Sequence, residues 1–246
     1  MSLLCAHGAM IPLGGAGGYT AAVLADAPWG YWRLEDAPAA NASAADTSGH
    51  NRSGTYRSGA SNDFSAAAGV FSGTGASVNF RGAGYVVCPQ ATLGSGQAFT
   101  LECMLRTSTI VENQSLVGGD DGSSDRRWQM RTTSGGNLQF LTIYPSVNAV
   151  TSAAVVADGN PHLLHVVFDP SLAASAGICK LYVDGVLDTA STAALSIDPG
   201  TVTPVIAART PGGNNPYTGL LDEVAIYMTA LGAEQIAAHW AARNLA

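Results

Sequence analysis

The stretch Phe99-Thr-Leu-Glu-Cys-Met-Leu-Arg106 decides the fold class of this chain. Apolar side chains occupy every second position, from Phe99 through Leu101 and Cys103 to Leu105. A period of two residues is typical of a β-strand that buries one of its faces. The stretch therefore predicts a half-buried strand and not a helix.

The rest of the chain repeats this pattern in short runs. Lys180-Leu-Tyr-Val-Asp184 alternates in the same way, and the dipeptide Asp184-Gly185 between two such runs is a strong signal for a β-hairpin. Turn residues separate the strand-like runs of the whole chain, which lie at 29–34, 75–80, 84–88, 98–106, 115–119, 128–132, 137–144, 153–157, 163–168, 178–183, 202–207 and 220–227. The pattern predicts an all-β domain, a two-sheet antiparallel β-sandwich of the jelly-roll type.

The beginning of the chain differs from this pattern. Residues 1–20 end in the glycine-rich run Gly14-Gly-Ala-Gly-Gly18, and this composition predicts a flexible arm. The arm is either a frayed terminus or a tether to a larger assembly. Residues 21–246 remain as the sandwich domain.

The end of the chain predicts one short helix. Residues 231–243 are rich in helix formers, and Gln235 follows a cap at Gly232 by three residues. Leu231, Ile236 and Trp240 would share one face, so we expect a short C-terminal helix that packs on the sandwich.

Composition excludes a nucleic-acid-binding role. Only 12% of the residues are charged, the net charge is -7, and Lys180 is the single lysine. A protein with so few basic groups cannot neutralise many phosphates. Hydrophobic residues make up 47% of the chain, which is enough for a large core.

Cysteines and histidines show no metal-binding spacing. The four cysteines form no CxxC pair, and three of them lie in apolar runs, where free cysteine acts as a small hydrophobic residue; disulfides are the alternative. No zinc site is expected from these spacings. His162 and His165 are three apart, so we expect them on opposite faces of a strand in structural hydrogen bonds.

The sequence also shows neither a signal peptide nor an apolar run of membrane-spanning length. We therefore expect a protein that is made in the cytoplasm and does not insert into a membrane.

Several blocks in this chain resemble the laminin-G-like (concanavalin-A-like lectin/glucanase) family. They occur in the family's order and cover most of the chain, at 28–35, 46–51, 99–102, 158–162, 165–169, 181–185, 217–227 and 230–236. The block Tyr217-Thr-Gly-Leu-Leu-Asp-Glu-Val-Ala-Ile-Tyr227 matches best. Pro161 departs from the family, which usually has Trp there, and we expect it to alter the start of one strand only.

This resemblance implies a jelly roll whose members mostly bind glycans or proteins, often together with a calcium ion. The Gly30-Tyr-Trp-Arg-Leu34 opening looks like the copies of this domain carried in tailed-bacteriophage virion proteins. The resemblance therefore also implies a virion as the location of the protein, after synthesis in the host cytoplasm.

Catalysis is not expected. Hydrolases of this fold carry a Glu-x-Asp-x-x-Glu strand, because retaining hydrolysis needs two carboxyl groups about 5 Å apart. This chain has five glutamates and none of them forms that motif. Asp222 and Glu223 are adjacent, so in a regular strand their side chains would point to opposite faces.

Acidic loop residues make calcium the candidate cofactor. Asp120, Asp121 and Asp125 lie in the densest polar cluster, and calcium binds six to eight oxygen ligands. The alternative for this loop is a solvated hairpin tip neutralised by neighbouring arginines. The resemblance implies a second candidate site at Asp222, with Asp46 or a backbone carbonyl.

Glycan binding needs an aromatic platform together with planar hydrogen-bonding groups. Asn214, Asn215 and Tyr217 share one loop, and Trp128 lies next to the acidic cluster, where it serves either a ligand or the core. Trp29 and Trp32 are expected in the core.

Two functions remain open at this point. The first is a virion-associated structural or adhesion protein, a capsid or tail decoration docked to other virion proteins through residues 1–20, with weak glycan binding. The second is a dedicated carbohydrate- or receptor-binding lectin module. Cell-surface or environmental glycans and self-association into a homo-oligomer are the other expected interactions, and a glycoside hydrolase is a distant alternative.

Overall fold

A computed structural model describes residues 18–60, 62–93, 96–120, 128–142, 147–173, 176–193, 195, 197 and 200–245. In chain order, the helices and strands are α1 (Gly18–Ala25), β1 (Gly30–Trp32), β2 (Ser43–Ala44), β3 (Gly54–Arg57), β4 (Phe64–Ala68), β5 (Ala76–Arg81), β6 (Tyr85–Val87), β7 (Ala91–Thr92), β8 (Phe99–Arg106), β9 (Gln114–Gly119), β10 (Trp128–Thr132), β11 (Asn137–Thr142), β12 (Asn148–Val155), β13 (His162–Phe168), β14 (Cys179–Val183), β15 (Val186–Ala190), β16 (Thr201–Val202), β17 (Val205–Ile206), β18 (Thr218–Tyr227) and α2 (Ala233–Ala242).

The strands form two eight-stranded antiparallel sheets. Sheet 1 has the order β15-β14-β13-β8-β18-β5-β4, with β1 also paired to β18, and sheet 2 has the order β12-β11-β10-β9-β17-β6-β3-β2. The short strands β16 and β7 pair with each other. This arrangement confirms the predicted all-β sandwich with a short C-terminal helix.

The main core lies between the two sheets. Phe99 of sheet 1 stacks on Phe168 at 5.3 Å between ring centroids and lies 5.8 Å from Trp128 of sheet 2. Trp128 in turn stacks on Phe140 at 6.5 Å. All four rings are buried, and the alternating positions of β8 supply this core as the sequence predicts.

A second buried layer covers the outer face of sheet 1. Tyr19 and Val23 of α1 and Ile236 of α2 pack there against sheet residues such as Met104 and Tyr227, and all of these side chains are buried. Helix α1 was not expected from the sequence. It begins at Gly18, so the last three residues of the predicted arm lie in a helix, and residues 1–17 lie outside the described residues.

Helix α2 agrees with its prediction. Gly232 is the N-cap, and its N–H donates to Gln235 Oε1 at 2.8 Å. Ile236 and Leu231 are buried against sheet 1, and Trp240 is partly buried beside them.

The hairpin between β14 and β15 turns at the predicted dipeptide. Asp184 and Gly185 have φ values of 53° and 80°, and positive φ at both central residues is the requirement of a type I′ turn. The three described cysteines, Cys88, Cys103 and Cys179, are free and buried, as expected for small core residues. Neither helix in the described ranges has the length and apolar character of a membrane span.

Candidate functional site

An open cleft lies at the end of the sandwich where β18 ends and where β1 and β8 begin. Its volume is about 470 Å³. The residues that line it are Trp29, Gln90, Ala91, Thr92, Gln97, Ala98 and Met228. We call this site the Trp29 cleft. It joins segments that are far apart in the chain, because antiparallel pairing of β18 with both β1 and β8 brings their ends together.

The indole of Trp29 is half-buried and held from several sides. The backbone N–H of Trp29 donates to Ile226 O at 2.7 Å, which fixes the residue at the edge of sheet 1. The Arg52 guanidinium lies 4.6 Å from the ring centroid, and the buried Trp32 ring lies 6.3 Å away. A ring restrained in this way loses little conformational entropy when a ligand stacks on it.

Apart from the Arg52 guanidinium over the indole, the polar side chains that line the described part of the cleft are uncharged. Gln90, Thr92 and Gln97 are exposed, and each glutamine amide both donates and accepts hydrogen bonds. None of the seven described residues that line the cleft has an ionisable side chain. The described lining is therefore suited to hydrogen bonding with a hydroxyl-rich ligand.

A second cleft of about 490 Å³ lies near the opposite end of β8. Arg106, Leu220 and Asn79 are neighbours across β8, β18 and β5, and Thr107 and Thr218 also line the cleft. We call it the Arg106 cleft. Its described lining contains no aromatic ring, so it lacks a stacking platform for a sugar.

Two of the predicted ligand residues lie in the core. Trp128 and Tyr217 are both 0% exposed, so their rings do not form platforms for a ligand in this structure. Trp128 pairs with Gly119 across β9 and β10, and a side-chain carbon on Gly119 would lie 2.2 Å from the indole. The glycine therefore leaves the space that the buried indole fills.

The other two predicted ligand residues remain on the surface. Asn214 is exposed and Asn215 is half-buried in the loop before β18. The loop packs on Tyr85, whose hydroxyl donates to Pro211 O at 3.0 Å. The asparagines therefore lie at the surface while Tyr217, which was expected beside them on the same loop, is buried, and Trp128 takes the core position that the sequence left open as its alternative.

The predicted calcium loop begins beside this asparagine loop. Asp120 is buried, and its Oδ2 lies 3.3 Å from Arg209 Nε. The backbone N–H of Arg209 donates to Asn214 O at 2.7 Å, which joins the two loops. Asp121 and Asp125 lie outside the described residues. Calcium at this loop therefore stays a prediction.

Asp46, the first alternative calcium ligand, is already used as a hydrogen-bond acceptor. Its two carboxylate oxygens accept from the backbone N–H groups of Tyr31, Ser48 and Arg52 and from the Ser48 hydroxyl, at 2.7–3.0 Å. Burial opposes ionisation, but these hydrogen bonds lower the pKa of Asp46 below its ordinary value. The carboxylate organises the loop after β1.

Asp222, the second alternative, lies in a buried pair with Glu223. Asp222 Oδ2 accepts from the Thr74 hydroxyl at 2.6 Å and from Val70 N–H at 3.0 Å, while Glu223 accepts from the Tyr31 hydroxyl. Glu223 has a φ of 51°, and the register of β18 shifts here, so the strand bulges.

This bulge corrects one expectation from the sequence. The partners of Asp222 and Glu223 include Val70 and Tyr31, which both belong to the layer on the outer face of sheet 1. The two carboxyl groups therefore lie on the same side and not on opposite faces, because the residue in left-handed conformation breaks the alternation. Both are 0% exposed, so they do not contact solvent in this structure.

Burial shifts the ionisation of this pair. It raises the pKa of Asp222 to about 7, although hydrogen bonds from Thr74 and Val70 act in the other direction. Burial and the adjacent Asp222 charge raise the pKa of Glu223 to about 8, with Tyr31 and Arg33 opposing the shift.

The pair should make stability depend on pH. Because both pKa values are raised in the folded state, the pair's contribution to the free energy of unfolding is greatest at low pH. This contribution is lost as the pH rises through about 7 to 8. We expect Asp222→Asn to flatten this fall between pH 5 and pH 8 by on the order of 1–3 kcal/mol, measured by urea unfolding. Asp46→Asn, which removes a carboxylate with a lowered pKa, should not flatten it. Parallel curves for wild type and Asp222→Asn would contradict the prediction.

The comparisons with known proteins agree with the fold. Residues 80–237 match the family described as the concanavalin A-like lectin/glucanases superfamily, Laminin_G_3. No sequence among the curated proteins is similar enough to count as a relative of this chain.

Solved structures with a similar fold include a domain of an arabinanase and domains of two toxins. Domain 4 of the arabinanase AbnA from Geobacillus stearothermophilus, solved with arabinotriose, has a TM-score of 0.63 at 16% identity, covering 85% of this chain and 96% of that domain. The binding domain of Paraclostridial Mosquitocidal Protein 1 has a TM-score of 0.60 at 13% identity, covering 79% and 48%. The ligand-binding domain of botulinum neurotoxin serotype D, solved with N-acetylneuraminic acid, has a TM-score of 0.57 at 13% identity, covering 91% and 53%. The chain thus spans almost all of the arabinanase domain but about half of the toxin chains.

Proposed function

We infer a function from the fact that this chain belongs to the concanavalin A-like lectin/glucanase superfamily: it is a non-catalytic carbohydrate-binding module whose ligand lies in the Trp29 cleft. The observation that carries this proposal is the combination, in one open cleft, of a restrained indole with three exposed polar side chains. These are the half-buried Trp29 and the exposed Gln90, Thr92 and Gln97.

The chemistry of the cleft matches what a sugar ring presents. The C–H face of a sugar packs on an aromatic ring, and its hydroxyl groups need partners that both donate and accept. Trp29 supplies the ring, while the amides of Gln90 and Gln97 supply the partners. Because the lining is uncharged, we propose neutral glycans as the ligand class.

Ligands of structurally similar proteins support the same class. Arabinotriose is bound by domain 4 of the arabinanase, whose length this chain covers almost completely. N-Acetylneuraminic acid is bound by the neurotoxin domain, of which the chain covers 53%. The neutral arabinotriose is the closer chemical precedent for the uncharged Trp29 cleft.

The absence of catalysis remains part of the proposal. Hydrolysis of a glycosidic bond needs a pair of carboxyl groups on either side of the bond. The described lining of the Trp29 cleft has no carboxyl group, and the adjacent carboxylates Asp222 and Glu223 are buried in the outer layer of sheet 1.

We also propose that the module is a component of a bacteriophage virion, as its resemblance to phage-borne copies implies. In this account, residues 1–17 of the predicted arm dock to other virion proteins, because residues 18–20 lie in α1 and Tyr19 is buried on sheet 1. The sandwich faces outward, where repeated copies combine weak glycan contacts into a useful avidity. Electron microscopy of assembled particles with and without residues 1–17 tests the docking role, and particles that keep the shortened protein would contradict it.

A glycan array tests the binding function directly. We expect the wild-type chain to be retained on neutral oligosaccharides, and the double variant Gln90→Ala/Gln97→Ala to lose affinity by about fivefold or more, since each lost hydrogen bond contributes about 0.5–1.5 kcal/mol. Both glutamine side chains are exposed, so the melting temperature should not change.

Two variants at other surfaces serve as controls for this experiment. Arg106→Ala changes the second cleft and Asn214→Ala changes the exposed loop before β18, and both should keep wild-type retention. Loss of binding in Arg106→Ala or Asn214→Ala but not in the double variant would move the site away from Trp29.

A further inference from the structure

Three side chains from distant parts of the chain meet under the helices. Glu102 lies on β8, His165 is its neighbour on β13, and His239 is on α2. Glu102 and His165 are 0% exposed and His239 is 1% exposed. A buried group of one carboxylate and two imidazoles is unusual for a protein interior, where polar side chains carry a desolvation cost.

The spacing of the donor atoms matches that of ligands around one metal ion. Glu102 Oε2 lies 3.0 Å from His239 Nδ1 and 3.3 Å from His165 Nε2, and one ligand atom from each residue lies within 4.8 Å of the others. Tetrahedral zinc binds His and Glu at about 2.0–2.2 Å, which puts neighbouring ligand atoms about 3.3 Å apart. The two separations from Glu102 Oε2 therefore match those around a shared ion, and the donor atoms of the two histidines lie within 4.8 Å of each other.

The contact between Glu102 and His165 is close but is not a hydrogen bond. Within the described part of the chain, neither ring nitrogen of His165 has a hydrogen-bond partner of acceptable geometry, although Nε2 lies 3.3 Å from the Glu102 carboxylate. A fully buried imidazole left in this state is costly. An ion between the two groups would instead give the lone pair of Nε2 a partner.

Further contacts resemble the outer shell of a metal site. His239 Nε2 lies 3.0 Å from Asp26 Oδ2, just after α1, and metal-bound histidines commonly donate their other ring N–H to a carboxylate. Glu102 Oε1 accepts from the Tyr19 hydroxyl of α1, and Tyr227 Oη lies 2.8 Å from Glu102 Oε2. Helix α2 thus supplies one ligand, while Tyr19 of α1 and Asp26, which follows α1, supply two groups that orient the ligands.

We propose that Glu102, His165 and His239 form a buried structural site for a divalent transition-metal ion of the zinc class, which holds α1 and α2 on the outer face of sheet 1. Two neutral imidazoles and a carboxylate are a ligand set that such ions prefer over calcium, which binds oxygen. The site is independent of the Trp29 cleft, because it lies on the opposite side of sheet 1 from the core and its residues do not line that cleft.

The test uses the full chain, purified without a histidine tag, loaded with zinc chloride and then desalted. Elemental analysis should find about one zinc ion per chain, and zinc should raise the melting temperature relative to the protein treated with a chelator. His165→Ala should bind less than a tenth of the wild-type zinc and should lose the temperature shift.

His162→Ala is the matched control, because His162 pairs with Asp184 and Asp158 at the surface of the same strand and should keep wild-type zinc binding. If His165→Ala does not fold, cobalt(II) added to the wild-type chain provides the second measurement, with the visible absorption of cobalt bound by two imidazoles and a carboxylate as the expected result. A wild-type chain with no bound zinc and no cobalt absorption would overturn the proposal, as would equal loss of zinc in His162→Ala.

Discussion

Replacing Trp29 by alanine is expected to abolish retention of the protein on its glycan. In the proposed complex the indole is the only aromatic platform among the described residues of the cleft, and Trp residues of this kind contribute about 2 kcal/mol or more when truncated, which is ~30-fold in affinity. Affinities measured by titration calorimetry, with the best oligosaccharide from the array, would give this ratio.

Conservative variants separate binding from folding at this position. Trp29→Phe keeps a flat ring in the same place and should retain part of the affinity, whereas Trp29→Ala should not. Because the indole is only half-buried, both variants should stay folded, with melting temperatures close to that of the wild type. Full binding by a folded Trp29→Ala variant would exclude the Trp29 cleft as the ligand site.

Replacing Trp128 by alanine should have its large effect on stability. The indole is 0% exposed between Phe99 and Phe140, and removal of a buried Trp typically costs about 3–5 kcal/mol in the free energy of unfolding. For a domain of this size that corresponds to a fall of roughly 10 °C in the melting temperature. Urea unfolding and calorimetry measure the two quantities.

The comparison with Trp29 makes this second prediction specific. Trp128→Ala should lower stability several times more than Trp29→Ala, and the fraction that remains folded should still bind glycan. A Trp128→Ala variant with wild-type stability and no glycan binding would return this residue to the ligand surface, where the loop sequence alone suggested it.

Regular alternation made most of the fold predictable. The strand at Phe99–Arg106 and the Asp184-Gly185 hairpin occur as expected, because alternating side chains and positive φ are local properties. The expectation that this strand buries only one face was wrong, since α1 and α2 cover its other face and Glu102 and Met104 are buried too. The strand Phe64–Ala68 was missed, since its Ser and Ala residues are weak strand formers. Helix α1 was missed as well, because packing of Tyr19 and Val23 on sheet 1 stabilises it and no local pattern shows that contact.

The candidate site was less predictable than the fold. Trp29 and Trp32 were both expected in the core. Trp32 is buried there, whereas Trp29 lies just before β1 and packs half-buried against the edge of the same core. The partners Gln90 and Gln97 were not predictable from the sequence, because only the antiparallel register of distant strands brings them to the same cleft as Trp29.

Long-range pairing also explains why the Glu102, His165 and His239 cluster was not foreseen. Sequence spacing predicted no zinc site, since zinc motifs are recognised by ligands close together in the chain. Here the neighbours are set by the pairing of β8 with β13 and by the packing of α2.

The amide NMR spectrum of the full nitrogen-labelled chain, recorded during titration with the best oligosaccharide from the array, tests the central claim most directly. We predict that the largest shifts occur at the Trp29 indole N–H and at the side-chain amides of Gln90 and Gln97, with small changes elsewhere. Largest shifts at Arg106 or Asn214, or a spectrum that does not change at saturating oligosaccharide, would contradict the proposed binding site.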